Sequence, residues 1–393
     1  MKYIVCLGDG MADWPIKSLG DRTPLQAAKT PTMDLMAQQG QSGRVLTVPS
    51  HLKPGSDVAN IGILGYDPSL YYTGRAPIEA ASMGLRIPDG QLAFRCNLVT
   101  IQEDVMVDFT AEHVSSAEGE ALLATLNSEL SFFGVQFFPG VSYRNLALWD
   151  DRLAALSCTP PHDVTDKEIR PYLPQGKGAD RVAKLVVAAR LILAAHPVNR
   201  ARIDKGLLPV TDIWLWGQGK MPNLPLFETQ HGLTGGMVTA VDLLKGIGQL
   251  IGFETPDVEG ATGFLDTNYA GKVETGLRLL ESHDFVFIHI EAPDEAGHMG
   301  REDLKVEAIE AFDSQVVSPI LAYAKQRSDV RIMVLPDHPT PCALKTHTSD
   351  RVPFLIYGAG ISAGLATAFN ETEVSAALSF DTPWELLAYF LKK

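Results

Sequence analysis

The sequence predicts an α/β protein: a doubly wound, mostly parallel sheet that carries a smaller, inserted α+β domain. Three observations carry that prediction. Four short apolar runs (3–7, 284–290, 330–335 and 354–357) lack strict alternation, as parallel strands do when helices cover both faces of a sheet. Helical patterns lie between these runs. The middle of the chain switches instead to short strands mixed with helices.

Taken in order, the first run ends in Gly8-Asp9-Gly10. The stretch Lys53-Pro-Gly-Ser56-Asp57-Val-Ala-Asn60 puts a serine after glycine at the start of a helical pattern. Free amides and the helix dipole favour an anion at such a position. From about residue 85 to 207, segments 94–100, 105–109, 135–138 and 146–149 read as strands. Segments 116–130 and 179–196 read as helices, and Pro197 ends the second. The apolar run 212–216, with Trp214 and Trp216, is predicted to return to the main sheet. This assigns residues 1–84 and 208–393 to the core and 85–207 to an inserted substrate-binding or lid domain. The run 284–290 leads into Glu291-Ala-Pro-Asp294-Glu295-Ala-Gly-His298, where Pro293 and Gly297 predict a loop. Residues 304–326 carry Val306, Ile309, Phe312, Val316, Ile320 and Leu321 near a 3.6-residue period and predict one helix. The run 330–335 ends in Pro336-Asp337-His338, and His347 follows.

Composition narrows the function. Apolar residues make up 46% and charged residues 20%, which excludes a disordered or fibrous chain. The net charge of −14, without a long basic run, argues against non-specific nucleic-acid binding. It does not argue against a small anionic substrate, since local cations can reverse the field in one pocket. Cys6, Cys96, Cys158 and Cys342 form no C-x-x-C pair, so neither a zinc ribbon nor a disulfide framework is implied. The longest internal apolar stretch contains Arg190 and is too short to span a bilayer. The expectation is a cytoplasmic protein without nucleic-acid or membrane partners, its oligomeric state unreadable.

Asp and His at three strand ends converge on one sheet edge, where open α/β folds bind ligands. Carboxylate with imidazole suits Mn, Zn or Co, and Mg remains possible. No G-x-S-x-G surrounds Ser56, so an esterase reading lacks support, and there is no Walker-type G-x-x-x-x-G-K-[ST].

These residues, together with Gly20-Asp-Arg-Thr-Pro, Leu64-Gly-Tyr-Asp-Pro68, Tyr72-Thr-Gly-Arg75-Ala-Pro, Ala240-Val-Asp-Leu-Leu-Lys-Gly and Asp337-His338, resemble the alkaline-phosphatase superfamily. Within it they are similar to the archaeal-type cofactor-independent phosphoglycerate mutases. The resemblance implies a two-metal site without 2,3-bisphosphoglycerate. Asp9, Ser56, Asp337 and His338 would hold one ion, and Asp294, His298 and His347 the other. It also implies a small phosphorylated metabolite as partner and a phosphoserine formed on Ser56, with closure of the insert excluding water.

The sequence departs from that pattern in two places. The glycolytic members carry Asp-Arg-Arg-Ala-Gly-Arg in the insert, where this chain reads Val107-Asp-Phe-Thr-Ala-Glu-His113-Val-Ser-Ser. Their histidine after the nucleophile is Asn60 here. Both departures resemble a bacterial branch proposed to phosphorylate homoserine. Arg75 is the leading candidate for a phosphate contact. Arg144, Asn60, His162 and Asp163 are further substrate candidates, and Arg95, Arg152, Lys177 and Lys220 are the other available cations. Three further readings stay open: an ATP-dependent homoserine kinase, a phosphomonoester or phosphonate hydrolase, and a binding protein that retains only the fold.

Overall fold

The structure, a computed structural model, describes residues 1–374 and 378–392. Two compact units divide the chain: Met1–Tyr72 with Asn223–Lys393, and Thr73–Pro222.

The first unit contains β1 (Lys2–Gly8), β2 (Gln41–Val45), β8 (Gly235–Val238), β9 (Phe285–Ile290), β10 (Val330–Leu335), β11 (Val352–Gly358) and β12 (Ser379–Phe380). They form one sheet in the order β12-β2-β11-β10-β1-β9-β8. β1, β8, β9 and β10 run parallel, in the register Tyr3 opposite Phe285 and Arg331. All six residues of β9 and of β10 are buried, so an alternating pattern would have put polar side chains into a core. Helical residues including Ile309, Phe312, Val316 and Ile320 pack with Ile4, Ile288 and Ile332 in that core. The doubly wound, mostly parallel architecture expected from the apolar runs is therefore the one observed.

Three local expectations are corrected in this unit. β11 runs antiparallel to both β10 and β2, because the connection after β10 contains no helix to make a parallel crossover. The single helix expected over 304–326 is three pieces: Glu302–Phe312, a π-helical turn Asp313–Val317, and Ser318–Lys325. Pro319 cannot supply the N–H that an unbroken α-helix needs, and a wider turn precedes it. The loop expected at Asp294–His298 is the helix Ala292–Met299. Pro293 lies in its first turn, where no N–H is required.

The second unit contains β3 (Gln91–Gln102), β4 (Val105–Asp108), β5 (Gln136–Val141), β6 (Arg144–Asp150) and β7 (Asp212–Gly219). These make a five-stranded sheet whose pairs are antiparallel. The helices Ser116–Glu129 and Ala179–Ala195 contribute Leu122, Leu126, Leu185 and Leu193 to a core shared with Phe94 and Trp149. The run with Trp214 and Trp216 does not rejoin the main sheet. It is β7, paired with β3 so that Trp214 opposes Asn97 and Trp216 opposes Arg95. That pairing, and the helix Arg75–Ser82, move the boundaries outward from 85 and 207 to Thr73 and Pro222. Among the described residues no single helix is long and apolar enough to cross a membrane.

Candidate metal centre

The carboxyl ends of three adjacent parallel strands deliver the chemistry. Asp9 follows β1. Asp294 lies in the first turn of the helix after β9, with His298 one turn on, and Asp337 and His338 follow β10. Ser56 is the first residue of the helix Ser56–Ile63, and His347 stands in the loop beyond Thr340. All seven belong to the first unit.

They gather as two groups of metal-competent side chains, Asp9 with Asp337 and His338, and Asp294 with His298 and His347. In the first, His338 Nε2 lies 3.1 Å from Ser56 Oγ, 3.6 Å from Asp9 Oδ1 and 3.5 Å from Asp337 Oδ2. In the second, His298 Nε2 is 3.2 Å from Asp294 Oδ2 and 2.9 Å from His347 Nε2, and His347 Nε2 is 3.5 Å from Asp294 Oδ1. The groups adjoin: the His338 and His347 rings have centroids 4.1 Å apart.

Hydrogen bonds around the groups leave electron pairs pointing inward. His298 Nδ1 lies 3.0 Å from the Lys345 carbonyl, which only accepts, so Nδ1 carries the proton and Nε2 presents a lone pair toward Asp294 and His347. Thr340 donates its hydroxyl hydrogen to Asp294 Oδ1, leaving its oxygen to accept from His338 Nδ1 at 3.3 Å. The His338 Nε2 lone pair then faces Ser56, Asp9 and Asp337. Asp9 Oδ1 is buried without a hydrogen-bond partner. Lone pairs converging on carboxylates repel one another unless a cation or proton stands between them. The residues therefore fit divalent ions.

The electrostatics agree. Burial, then the negative charges of Asp337, Asp294 and Glu291, push the Asp9 carboxyl well above its ordinary range. Burial lowers His338 to about 4 and keeps its ring neutral, as a ligand must be. His298 behaves differently: burial would lower it, but the bond to Asp294 outweighs that and raises it to about 9.

Three further residues take part that the sequence reading missed or misjudged. His289 in β9 is fully buried, with Nε2 2.9 Å from Asp9 Oδ2. A lone histidine inside an otherwise apolar strand was the available signal. Thr340 bridges the two groups and had no signal beyond its nearness to His338. Asn60, expected on the substrate, is fully buried, and its amide donates to Asp337 Oδ2 and to the Ser56 carbonyl, both at 2.9 Å.

The remaining candidates lie in the second unit. Glu79 binds Arg75 Nε at 3.1 Å and Arg95 Nε at 2.8 Å. Burial alone would raise Glu79, but the charges of Arg95, Arg75 and Arg144 hold its carboxyl below the ordinary range. Burial lowers Arg95 to about 10; Glu79 opposes this, while the neighbouring Arg75 and Arg144 add to it. Two guanidinium groups, Arg75 and Arg95, thus pair with one half-buried carboxylate, and the charge of a third, Arg144, acts on it. The Arg95 guanidinium stacks 4.4 Å over Trp216, whose ring also meets His162 edge-on at 5.4 Å. His162 and Asp163 approach at 3.9 Å. Arg152 pairs with Asp150, and Lys220 with Asp151.

Comparison with known proteins places this chain in a family. The family model described as 2,3-bisphosphoglycerate-independent phosphoglycerate mutase matches residues 37–199. A Methanosarcina mazei protein bearing that name is 51% identical over 359 residues, covering 91% of this chain and 90% of its own. A Geobacter sulfurreducens protein, named as a probable member, is 46% identical over the full length of both. A solved Pyrococcus horikoshii structure aligns with a TM-score of 0.80 at 29% identity, covering 99% of this chain and 96% of that one. A cofactor-independent phosphoglycerate mutase from Thermoplasma acidophilum aligns with a TM-score of 0.65 at 28% identity, covering 100% and 99%. The chain belongs to the 2,3-bisphosphoglycerate-independent phosphoglycerate mutase family.

Proposed function

We propose that this chain interconverts 3-phosphoglycerate and 2-phosphoglycerate by carrying the phosphoryl group on Ser56. The observation that carries the reading is the position of Ser56 Oγ, 3.1 Å from His338 Nε2, which itself lies 3.6 Å from Asp9 Oδ1 and 3.5 Å from Asp337 Oδ2, in a chain about half identical to relatives named as such mutases.

Asp9, Ser56, Asp337 and His338 would hold one divalent ion, and Asp294, His298 and His347 the second. Bound there, the ions supply charge neutralisation at phosphoryl oxygens and acidify the serine hydroxyl. Ser56 Oγ then replaces the C3 oxygen on phosphorus: the Oγ–P bond forms, the C3–O–P linkage breaks, and the serine proton ends on the released C3 hydroxyl. In the return step the C2 hydroxyl takes the phosphoryl group and its proton returns to Ser56. The start of the helix Ser56–Ile63 adds amides and a positive dipole end near the nucleophile. Asn60 steadies Asp337 rather than substrate. Arg75 and Arg144 around Glu79, with His162 and Asp163, are the groups we assign to the substrate's phosphate and carboxylate. The charges of Arg75 and Arg144 beside the Arg95–Glu79 pair support this.

One observation favours a second reading, ATP-dependent phosphorylation of homoserine. The segment 107–116 carries no arginine, and its Asp108 is spent on a turn, accepting Thr110 and Glu112 amides at 2.7 and 3.0 Å. A panel with manganese present separates the readings: 3-phosphoglycerate coupled to enolase, homoserine with ATP, and an aryl phosphate. Turnover of the first is expected, and Ser56→Ala should abolish it along with phosphoenzyme. Turnover of homoserine alone would overturn the mutase reading, and full activity in Ser56→Ala would remove the serine from its role. Elemental analysis should find two metal equivalents per chain.

A further inference from the structure

His289 is the single polar side chain of β9 and has no exposed surface. A leucine would fill an apolar strand without the desolvation cost of an imidazole. The ring is bonded on both sides. Nδ1 lies 3.1 Å from Thr239 Oγ1, and Nε2 lies 2.9 Å from Asp9 Oδ2. The direction of these bonds follows from the groups themselves. Thr239 Oγ1 already accepts the Val241 amide at 3.0 Å, so its hydroxyl hydrogen is free to go to His289 Nδ1. Nδ1 is then the acceptor and Nε2 carries the proton, which it donates to the Asp9 carboxylate. A one-way chain runs from the Val241 amide through Thr239 and His289 to Asp9 Oδ2. The other oxygen, Asp9 Oδ1, is the buried atom without a partner, 3.6 Å from His338 Nε2.

We infer that His289, set by Thr239, is a positioning residue that aims Asp9 Oδ1 at the ion of the Asp9–Asp337–His338 group. It thereby tunes the affinity of that ion and not of the ion at Asp294, His298 and His347. The chain occupies Oδ2 and fixes the rotation of the carboxylate about its Cβ–Cγ bond, so Oδ1 needs no reorientation when an ion arrives. Partners of ligating groups typically change metal affinity 10- to 100-fold when removed. Among the described residues the His289 ring hydrogen-bonds to Thr239 and Asp9 and to none of Asp294, His298 and His347, so the larger effect should fall on one ion. This inference rests on the two-metal reading above.

The test is calorimetric titration of Mn²⁺ into the metal-free full chain, followed by Co²⁺ spectroscopy to report on each coordination sphere. The wild type should bind two ions. His289→Leu, which keeps the packing but removes the donor, should weaken one ion 10- to 100-fold. The other ion should stay within about twofold, since it loses no partner. His289→Gln, whose amide nitrogen can stand near the position of Nε2, should recover most of the loss. Thr239→Val leaves the ring buried but its tautomer unset; it should weaken the same ion to a smaller degree, and it serves if His289→Leu fails to fold. Two ions bound by His289→Leu with wild-type affinity would overturn the inference. So would equal weakening of both ions, the mark of a merely structural role. A wild type that binds no metal would instead overturn the metal reading itself.

Discussion

Lys305 has no exposed surface, yet its ammonium is fully engaged. Nζ donates to the Ala12 carbonyl at 3.1 Å, to Asp13 Oδ2 at 2.8 Å and to the Thr340 carbonyl at 2.8 Å. Asp13 Oδ2 also accepts the Cys342 amide at 3.1 Å. One buried ion pair therefore ties the loop after β1, which carries Asp9, to the loop after β10, which carries Asp337 and His338. Removing one partner of a buried pair leaves an uncompensated charge and costs about 3–5 kcal/mol, whereas replacing both with apolar groups can be nearly neutral. Lys305→Met should therefore lower stability to urea by about that amount. The double variant Asp13→Leu with Lys305→Met should recover a large part of it. A single variant with an unchanged urea midpoint would show that the pair does not hold the loops together. At this scale the sequence was legible where chemistry is spelled by residue type. Asp9, Asp294, Asp337, His338 and His347 are ligand candidates from sequence because three strand ends that each carry carboxylate or imidazole converge on one sheet edge. Lys305 and Thr340 are not legible: their roles come from contacts between distant stretches of chain, and nothing in their local sequence distinguishes a buried, satisfied polar group from an exposed one. His289 shows itself only as one histidine in an apolar strand, and its partners Thr239 and Asp9 are distant in sequence.

At the scale of elements, the helix Ala292–Met299 shows how propensity yields to packing. Pro293 and Gly297 suggest a loop from sequence, yet the segment is helical: Pro293 sits in the first turn, Gly300 caps the end in the left-handed region, and Asp294 and His298 thereby share one face at 3.2 Å. Gly297 remains because the Thr340 carbonyl oxygen would lie 2.5 Å from a Cβ placed there. In an open helix, Gly→Ala gains up to about 1 kcal/mol of propensity. Forcing a methyl group against backbone costs about 1–3 kcal/mol. The second effect wins, so Gly297→Ala should destabilise the first unit and should also weaken the ion at Asp294 and His298, because the helix must move to admit the methyl. Thermal melting with metal titration checks both; a stabilised variant with unchanged metal affinity would contradict the packing account. The same conflict explains which elements the sequence revealed. β1, β9 and β10 are long apolar runs and were identified closely, since burial on both faces leaves a strong pattern. The direction of β11 and the partner of β7 were misjudged, because an apolar run records burial but not the neighbour it pairs with.

At the scale of the molecule, each unit has its own hydrophobic core. One is built around Ile4, Ile288, Phe312 and Ile332, the other around Phe94, Leu126, Trp149 and Leu185. The candidate metal ligands all belong to the first unit, while the buried Arg202 and its partner Glu118 belong to the second. Ligand-linked and proton-linked stability should therefore appear in different transitions of a calorimetric scan. Adding Mn²⁺ at 100 times its dissociation constant should stabilise the first unit by about 2.7 kcal/mol per ion and leave the second unchanged. Acid acts on the second through Glu118. Burial would raise its carboxyl, but bonds from Ser115 and the charge of Arg202, 2.9 Å away, hold it below the ordinary range. A carboxylate with a lowered folded pKa contributes stability above its unfolded value, near pH 4.5, and loses it as pH falls through the folded value. Glu118→Gln keeps the helix cap acceptor but removes the charge beside Arg202. It should cost the second unit about 1–3 kcal/mol at pH 7, between an exposed and a fully buried pair. It should also flatten that unit's loss of stability between about pH 5 and 3. If Mn²⁺ and Glu118→Gln instead shift a single common transition, the two cores unfold as one cooperative body, and the stability of the metal centre is coupled to every residue of the chain.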